Sequence, residues 1–264
     1  MHSALAFWEA IVYKRAARAK TPVLLPVTQV VADSLREIYG TDLDLQIIPN
    51  PVSLDRFHPG DEPELRREVG SACGWTENYF TLLFVGADFA RKGLADIIRA
   101  LAVVPNAACM VVGAGNAEPF KALAEELGVG KRITFLGKRR DVDQLFRVAD
   151  AFVFPSLYEA LPLVCLEAMA SGLPLLLAPF PGYQTVLTTE ANGYLATTWE
   201  ELASHIAKLA GDPALVARMG ANSRALAEEF GVAKVSAKLL AILECKSRGS
   251  ALAPSPAIVE SPEL

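Results

Sequence analysis

A chain of 264 residues with 52% hydrophobic and 8% aromatic side chains has enough apolar material for one large core or two small ones, and 21% charged residues is too few for a disordered, solvating chain. The formal charge of −5 argues against a nucleic-acid protein that works through a general positive field. Composition and patterning also exclude collagen, a coiled coil and a disulfide-stapled scaffold.

Cys73, Cys109, Cys165 and Cys245 are widely spaced, with no CxxC pair and no nearby histidine. They read as buried thiols in a reducing compartment, and no metal site is expected. The apolar stretch from Ala160 to Phe180 is long enough to consider as a membrane span. It is broken by Pro162, Gly172 and Pro174 and carries Glu167, so two short buried elements fit better. The first thirteen residues lack a basic start and a small-residue cleavage site, so they are not expected to be a signal peptide and the cytoplasm is the expected location.

In chain order, residues 3–20 read as a helix ending in Lys14, Arg15, Arg18 and Lys20. That cluster suits a helix C-terminus; a patch for the inner membrane face is the alternative. Val23–Val27 is a strand candidate. Thr28 caps a helix to Tyr39 that Gly40 ends, and Leu45–Ile48 is a second strand stopped by Pro49-Asn50-Pro51. From residue 80 a regular alternation begins. Strands are expected at Phe80–Val85, Ala108–Val112, Arg132–Leu136, Ala151–Phe154, Pro174–Leu177 and Gly193–Ala196. Helical patterns occupy 93–103, 117–127, 141–149 and 162–171, and 181–192 is irregular. Continuously apolar strands are those of a parallel sheet covered on both faces. The expected fold is therefore α/β, a doubly wound parallel sheet that binds ligands at the carboxyl ends of its strands. Thr198-Trp199-Glu200-Glu201 is a capping box, and Asp212-Pro213 opens another helix. A last helix is expected at 232–245, and Ser, Pro, Gly and Ala then dominate a disordered tail.

Three loops carry candidate chemistry. In Gly86-Ala87-Asp88-Phe89-Ala90-Arg91-Lys92-Gly93, two adjacent cations stand at a helix start, where they oppose the dipole and so call for an anion. Gly86 lets backbone approach a ligand, although no GxGxxG pattern is present. Gly113-Ala114-Gly115 permits the same approach, or simply a tight turn. In the segment from Phe154 to Gly172, Glu159 lies between strand and helix; an acid favoured by the helix dipole is the plain alternative. Glu167 sits among Leu163, Val164 and Ala170 and needs a donor, either ligand hydroxyls or an internal Arg or Lys. His2, His58 and His205 fall in no catalytic motif.

The spacing Glu159-x7-Glu167, the downstream Glu-Ala-Met-Ala-Ser-Gly-Leu-Pro run, Phe-Val-Gly…Arg-Lys-Gly and Val-Gly-Ala-Gly together resemble retaining glycosyltransferase family 4, of the GT-B fold. Ile48-Pro49-Asn50-Pro51-Val52…Arg56-Phe57 resembles the family's hinge signature, so the likeness covers residues 5–245. Phe89–Gly93 and Gly182-Tyr183 lean towards the lipopolysaccharide core glucosyltransferase subgroup, hence cell-envelope polysaccharide synthesis.

The resemblance implies roles. Lys92, with Arg91, would hold the donor diphosphate; Glu159 would contact the hexose and Glu167 the ribose hydroxyls. Amides of Leu161, Leu163 and Val164 would face the diphosphate, with Gly86 and Gly113 lining the donor site and Gly137 and Lys138 the nucleobase pocket. Three departures stand out. Ala87 occupies the usual arginine position, Pro162 replaces a glycine, and Gly182 is followed by Tyr183, Gln184 and Thr185 without the usual glutamate. The implied chemistry is metal-independent transfer with retention, needing no cofactor and no protein nucleophile. The donor is a UDP-sugar, with GDP-mannose the alternative, and the acceptor a glycan or lipid-linked sugar.

A GT-B enzyme needs two such domains, roughly 300 residues or more. Residues 1–57 therefore read as a remnant of the acceptor domain and hinge, 58–230 as the nucleotide-sugar-binding Rossmann-like domain, 231–246 as a C-terminal helix and 247–264 as the tail. A fragment, a mis-assigned start, one half of a split enzyme with a separate acceptor-domain protein, and a non-catalytic binding module all remain open. A GT-B epimerase fits less well, because the Glu-x7-Glu pair marks glycosyl transfer. Leu5, Phe7, Trp8, Ile11, Val12 and Val23 are the apolar residues expected to be left exposed.

Overall fold

A computed structural model describes residues 23–40, 43–60, 62–75 and 79–247. The expected helix at 3–20, its basic cluster and the apolar candidates Leu5 to Val12 lie outside the described residues, and so does the expected tail beyond Ser247. The chain divides into two compact units, one of Met1–Asn50 with Ala233–Leu264 and one of Pro51–Val232.

In the first unit, α1 (Gln29–Tyr39) begins as its sequence dictates. The Thr28 hydroxyl accepts from the Val31 amide at 3.3 Å, and Gly40 ends the helix at φ +103°, where a glycine costs least. The two expected strands reduce to a single parallel bridge between Leu24 and Leu45. Each segment is cut short by a proline, Pro26 or Pro49, which cannot donate to a ladder. The last helix, which belongs to this unit from Ala233 onward, runs to Ser247, two residues past the expected end, and Lys246 pairs with the Asp44 carboxylate.

The second unit begins with α2 (Pro63–Ala72), which the sequence reading did not anticipate. It buries no residue and has no side-chain cap; its marks in the sequence are Pro63 at the first helical position and the half-buried Leu65 and Val69 one turn apart. Then come β1 (Phe80–Val85), α3 (Leu94–Val103), β2 (Ala107–Val112), α4 (Glu118–Glu126), β3 (Ile133–Gly137), α5 (Val142–Val148) and β4 (Ala151–Phe154). The remainder is α6 (Leu163–Ala170), β5 (Leu175–Leu177), β6 (Gly193–Leu195), α7 (Trp199–Ala210) and α8 (Pro213–Ala227); the helix that follows is α9 (Val232–Ser247). The strands form one parallel sheet in the order β3-β2-β1-β4-β5-β6. This is a doubly wound sheet whose winding reverses between β1 and β4, and a crevice at that reversal is where such sheets bind ligands. Every residue of β2, β4 and β5 is buried, which explains their unbroken apolar runs.

Polar side chains close the helix ends. Asp212 accepts from the Leu215 amide at 2.9 Å with Pro213 at the first helical position. Thr198 caps α7 as expected, but Glu201 reaches one residue further back than in a standard box, to the amide and hydroxyl of Thr197, both at 2.7 Å. Arg132, expected to open β3, instead donates to the carbonyls of Leu101, Val104 and Ala107 at 2.7–2.9 Å and satisfies the end of α3. Among the described residues no helix is long and apolar enough to cross a membrane.

Candidate active site at the carboxyl ends of β1 and β4

The loop after β1 carries Gly86, Arg91 and Lys92; the loop after β4 carries Ser156 and Glu159. Because β1 and β4 are neighbours, the two loops meet at the reversal of the sheet. Lys92 Nζ lies 2.9 Å from Glu159 Oε1, and each side chain is 14% exposed. The same oxygen accepts from Arg91 Nη1 at 3.3 Å and from the Ser156 hydroxyl at 2.9 Å. Arg91 is also held by the Tyr158 carbonyl at 2.7 Å and by Asp88 at 3.4 Å. The ammonium of Lys92 sits 4.4 Å from the ring centroid of Phe154, so the electron-rich face supports a charge drawn partly out of water.

The anion that the two cations call for is thus, in the free protein, Glu159. Its place is outside the helix: α6 begins only at Leu163, with Pro162 as its N-cap in extended conformation. The residue before a proline is turned away from helical angles, which keeps Leu161 out of the helix, and Glu159 lies before it in the loop. Leu163 and Val164 are the first two residues of α6, so their amides lack partners within the helix. Leu161 is buried ahead of the cap.

Gly86 is explained by Lys92. A β-carbon at Gly86 would collide with the Lys92 side chain. Gly113 and Gly115 are explained by the same loop, since β-carbons there would strike the carbonyl oxygens of Gly86 and Ala87 and the Phe89 ring. Gly113 donates to the Gly137 carbonyl at 2.9 Å, so the ends of β1, β2 and β3 are tied together. Gly137 has φ +65° with open space around its α-carbon, and Lys138 beside it is exposed; neither reaches the Lys92–Glu159 pair through a bond described here.

Glu167 lies half-buried on α6. Its side chain makes no hydrogen bond or ion pair among the described residues. Burial raises its pKa above the usual carboxylate range; the charge of Arg56 opposes this and that of Asp143 adds to it. Arg56 is already engaged, donating to Asp143 at 3.0 and 3.2 Å and to the Arg140 carbonyl at 3.1 Å. An internal donor for Glu167, one of the two readings open from sequence, is therefore not bonded to it. Cys165, fully buried two residues before Glu167 on α6, senses both acids. Desolvation pushes its thiol pKa far up, the charges of Glu159 and Glu167 push the same way, and Lys92 opposes.

Ser156, Phe154 and Arg56 were not assigned roles from sequence. Ser156 could have been suspected, since a hydroxyl three residues before an acid, straight after a buried strand, is placed to bond it.

The sequence model of the glycosyl transferases group 1 family matches residues 68–226, from α2 to α8. The chain belongs to that family. Within the group 1 glycosyltransferases, it is 35% identical over 172 residues to the lipopolysaccharide glucosyltransferase WaaG of Escherichia coli K12, covering 63% of this chain and 46% of that protein. It is 34% identical over 226 residues to a D-inositol 3-phosphate glycosyltransferase of Nocardia farcinica, covering 79% and 49%. A crystal structure of WaaG, described as a glycosyltransferase involved in lipopolysaccharide biosynthesis, superimposes with a TM-score of 0.71 at 30% identity, over 83% of this chain and 61% of that one. The chain spans about half the length of the curated relatives it matches.

Proposed function

We propose that this chain is the donor-binding half of a hexosyltransferase that takes a UDP-hexose, with glucose first in line, and transfers the sugar with retention to a glycan or lipid-linked acceptor. The reading rests on one observation: a carboxylate and two cations converge on a single point at the reversal of the sheet. The glucosyl preference is taken from the name of the WaaG relative; UDP is taken from the family resemblance, and GDP-mannose is the alternative donor.

In this proposal Lys92, helped by Arg91, meets the diphosphate and offsets the charge that grows as the bond to the sugar breaks. The amides of Leu163 and Val164 add a helix N-terminus to the same charge. Glu159 accepts from hexose hydroxyls. Glu167 accepts from the two ribose hydroxyls, which supply the donors its surroundings lack. Acceptor attack comes from the leaving-group side and a diphosphate oxygen takes the acceptor proton, so no protein nucleophile is needed. The cation pair supplies the neutralisation for which other enzymes recruit a divalent ion.

Titration calorimetry of the whole chain with UDP, UDP-glucose and GDP-mannose, in excess chelator, tests this. Saturable heats with UDP and UDP-glucose are expected, with GDP-mannose weaker. Absence of binding by all three overturns the reading, and binding only after magnesium or manganese is added overturns its metal-free part. A second reading, a nucleotide-sugar-binding module that transfers nothing by itself, is favoured by the span of about half the relatives' length. Donor binding without sugar release to any added acceptor supports it.

A further inference from the structure

We infer that Ser156 is a positioning residue that fixes Glu159 for the sugar while Lys92 is drawn away to the diphosphate. The inference rests on the donor-binding reading above and deepens it. Three donors crowd onto one oxygen of Glu159: the Lys92 ammonium and the Ser156 hydroxyl at 2.9 Å and the Arg91 guanidinium at 3.3 Å. No partner is recorded for Oε2 among the described residues. The carboxylate is thus held from one side, with its second oxygen free to accept.

The three donors are not equivalent. Lys92 and Arg91 are long and positively charged, and the Arg91 side chain is 45% exposed. Both are attracted to any diphosphate entering the site, and each step towards it loosens their hold on Glu159. Ser156 is neutral, and with 0% exposure it is packed into the foot of the loop directly after β4 and Pro155. Its short, buried side chain cannot follow a ligand, and a phosphate attracts a neutral hydroxyl far less than it attracts the two cations. When the cations turn to the ligand, the Ser156 hydroxyl is the donor that stays. A carboxylate that lost all three would be free to swing, and hydrogen bonds to the sugar would then have to repay the cost of ordering it. Removing Ser156 should therefore be felt with the sugar nucleotide and not with the nucleotide alone.

The experiment is a double-mutant cycle on the whole chain. Ser156→Ala, Glu159→Ala and the combination are titrated with UDP and with UDP-glucose, after circular dichroism has shown each variant folded. Ser156→Ala is expected to weaken UDP-glucose about tenfold or more, as for loss of a hydrogen bond to a charged group, and to change UDP less than twofold. In the Glu159→Ala background, where no acceptor remains at this position, the same substitution should have no further effect. Ser156→Thr, which keeps the hydroxyl, should recover at least half of the lost affinity, measured on the logarithmic scale. If Ser156→Ala does not fold, Ser156→Cys, close in size and a weak donor, carries the same comparison. A purely structural serine would weaken both ligands, or act equally in both backgrounds, and either outcome overturns the inference; so does Ser156→Ala binding UDP-glucose as the unmodified chain does. An unmodified chain that binds neither ligand overturns the donor-binding reading itself. A chain that binds both but is indifferent to Ser156 overturns only this step.

Discussion

Gly113 and Gly86 meet backbone to backbone: a β-carbon on Gly113 would fall well inside van der Waals contact with the Gly86 carbonyl oxygen, and Gly113 holds φ +150°. The loop that carries the cations is thus seated on the end of β2.

Gly113→Ala should displace that seat. The expected loss is about 3 kcal/mol, combining an unfavourable backbone angle with overpacking against a rigid carbonyl. Gly137→Ala is the matched comparison. It also has positive φ, +65°, but nothing lies within 4 Å of the added carbon. Its cost should stay near 1–2 kcal/mol, the left-handed penalty alone. Urea denaturation of both variants measures the difference; equal costs would mean that the Gly86 contact yields freely.

The two glutamates should separate by ligand. Glu167→Gln should weaken UDP and UDP-glucose alike, at least tenfold if two charge-assisted bonds to ribose are lost. Glu159→Gln should weaken UDP-glucose while UDP affinity holds or improves, because Lys92 loses the carboxylate that competes with the diphosphate. Affinities of folded variants for the two ligands decide; UDP weakened as strongly as UDP-glucose by Glu159→Gln would contradict the role given to the hexose.

Glu167 also makes a pH prediction. Burial raises its folded-state pKa, so the folded chain holds this proton more tightly than the unfolded chain does. Stability from this group is therefore full below the unfolded pKa and is lost as pH rises through the ordinary carboxylate range to the raised value. Glu167→Gln removes the loss. The variant should be more stable than the unmodified chain at pH 7, with the gap closing near pH 4. Guanidinium titrations at both pH values check the sign, and a gap that widens on acidification would refute it.

Arg66 and Asp150 form a structural pair away from the site. Arg66 donates to both Asp150 oxygens at 2.6 and 2.9 Å, and Asp150 also accepts from the Thr81 amide at 2.7 Å. Asp150→Ala strands a partly buried cation and an amide at the start of β1. A loss of about 2–3 kcal/mol is expected, with UDP affinity unchanged in the folded protein. Thermal denaturation alongside calorimetry distinguishes this from a role in binding.

Much of the sheet could be read in the sequence because its strands are buried on both faces. Residues 151–154 and 107–112 admit no polar side chain, and no amphipathic helix has that pattern. Thr28, Gly40, Thr198 and Asp212 mark helix ends by local hydrogen bonds that need no tertiary partner. The features that escaped are those made by the fold. Helix α2 fully buries nothing, and its period is only the pair Leu65 and Val69, too short to stand out. The pairing of Lys92 with Glu159, 67 residues apart, depends on β1 lying beside β4. From sequence the cations asked for an anion, but nothing local could say that the anion was an acid of the same chain. The glycines 113 and 115 admitted a ligand or a turn; the contact that explains them is with another loop.

The adjacency of β1 and β4 also orders events during synthesis. By the time residue 137 has left the ribosome, β1, β2 and β3 are all present and the cations Arg91 and Lys92 have their loop, while Glu159 has yet to emerge. A nascent chain at that stage exposes the β1 edge that β4 will cover, beside a Lys92 ammonium whose carboxylate partner has not yet been made. Arrival of residues 151–159 covers that edge and at the same time brings Lys92 its carboxylate, so the first strand of the second half of the sheet also supplies the ion pair of the crevice, before β5 and β6 extend the sheet beyond β4.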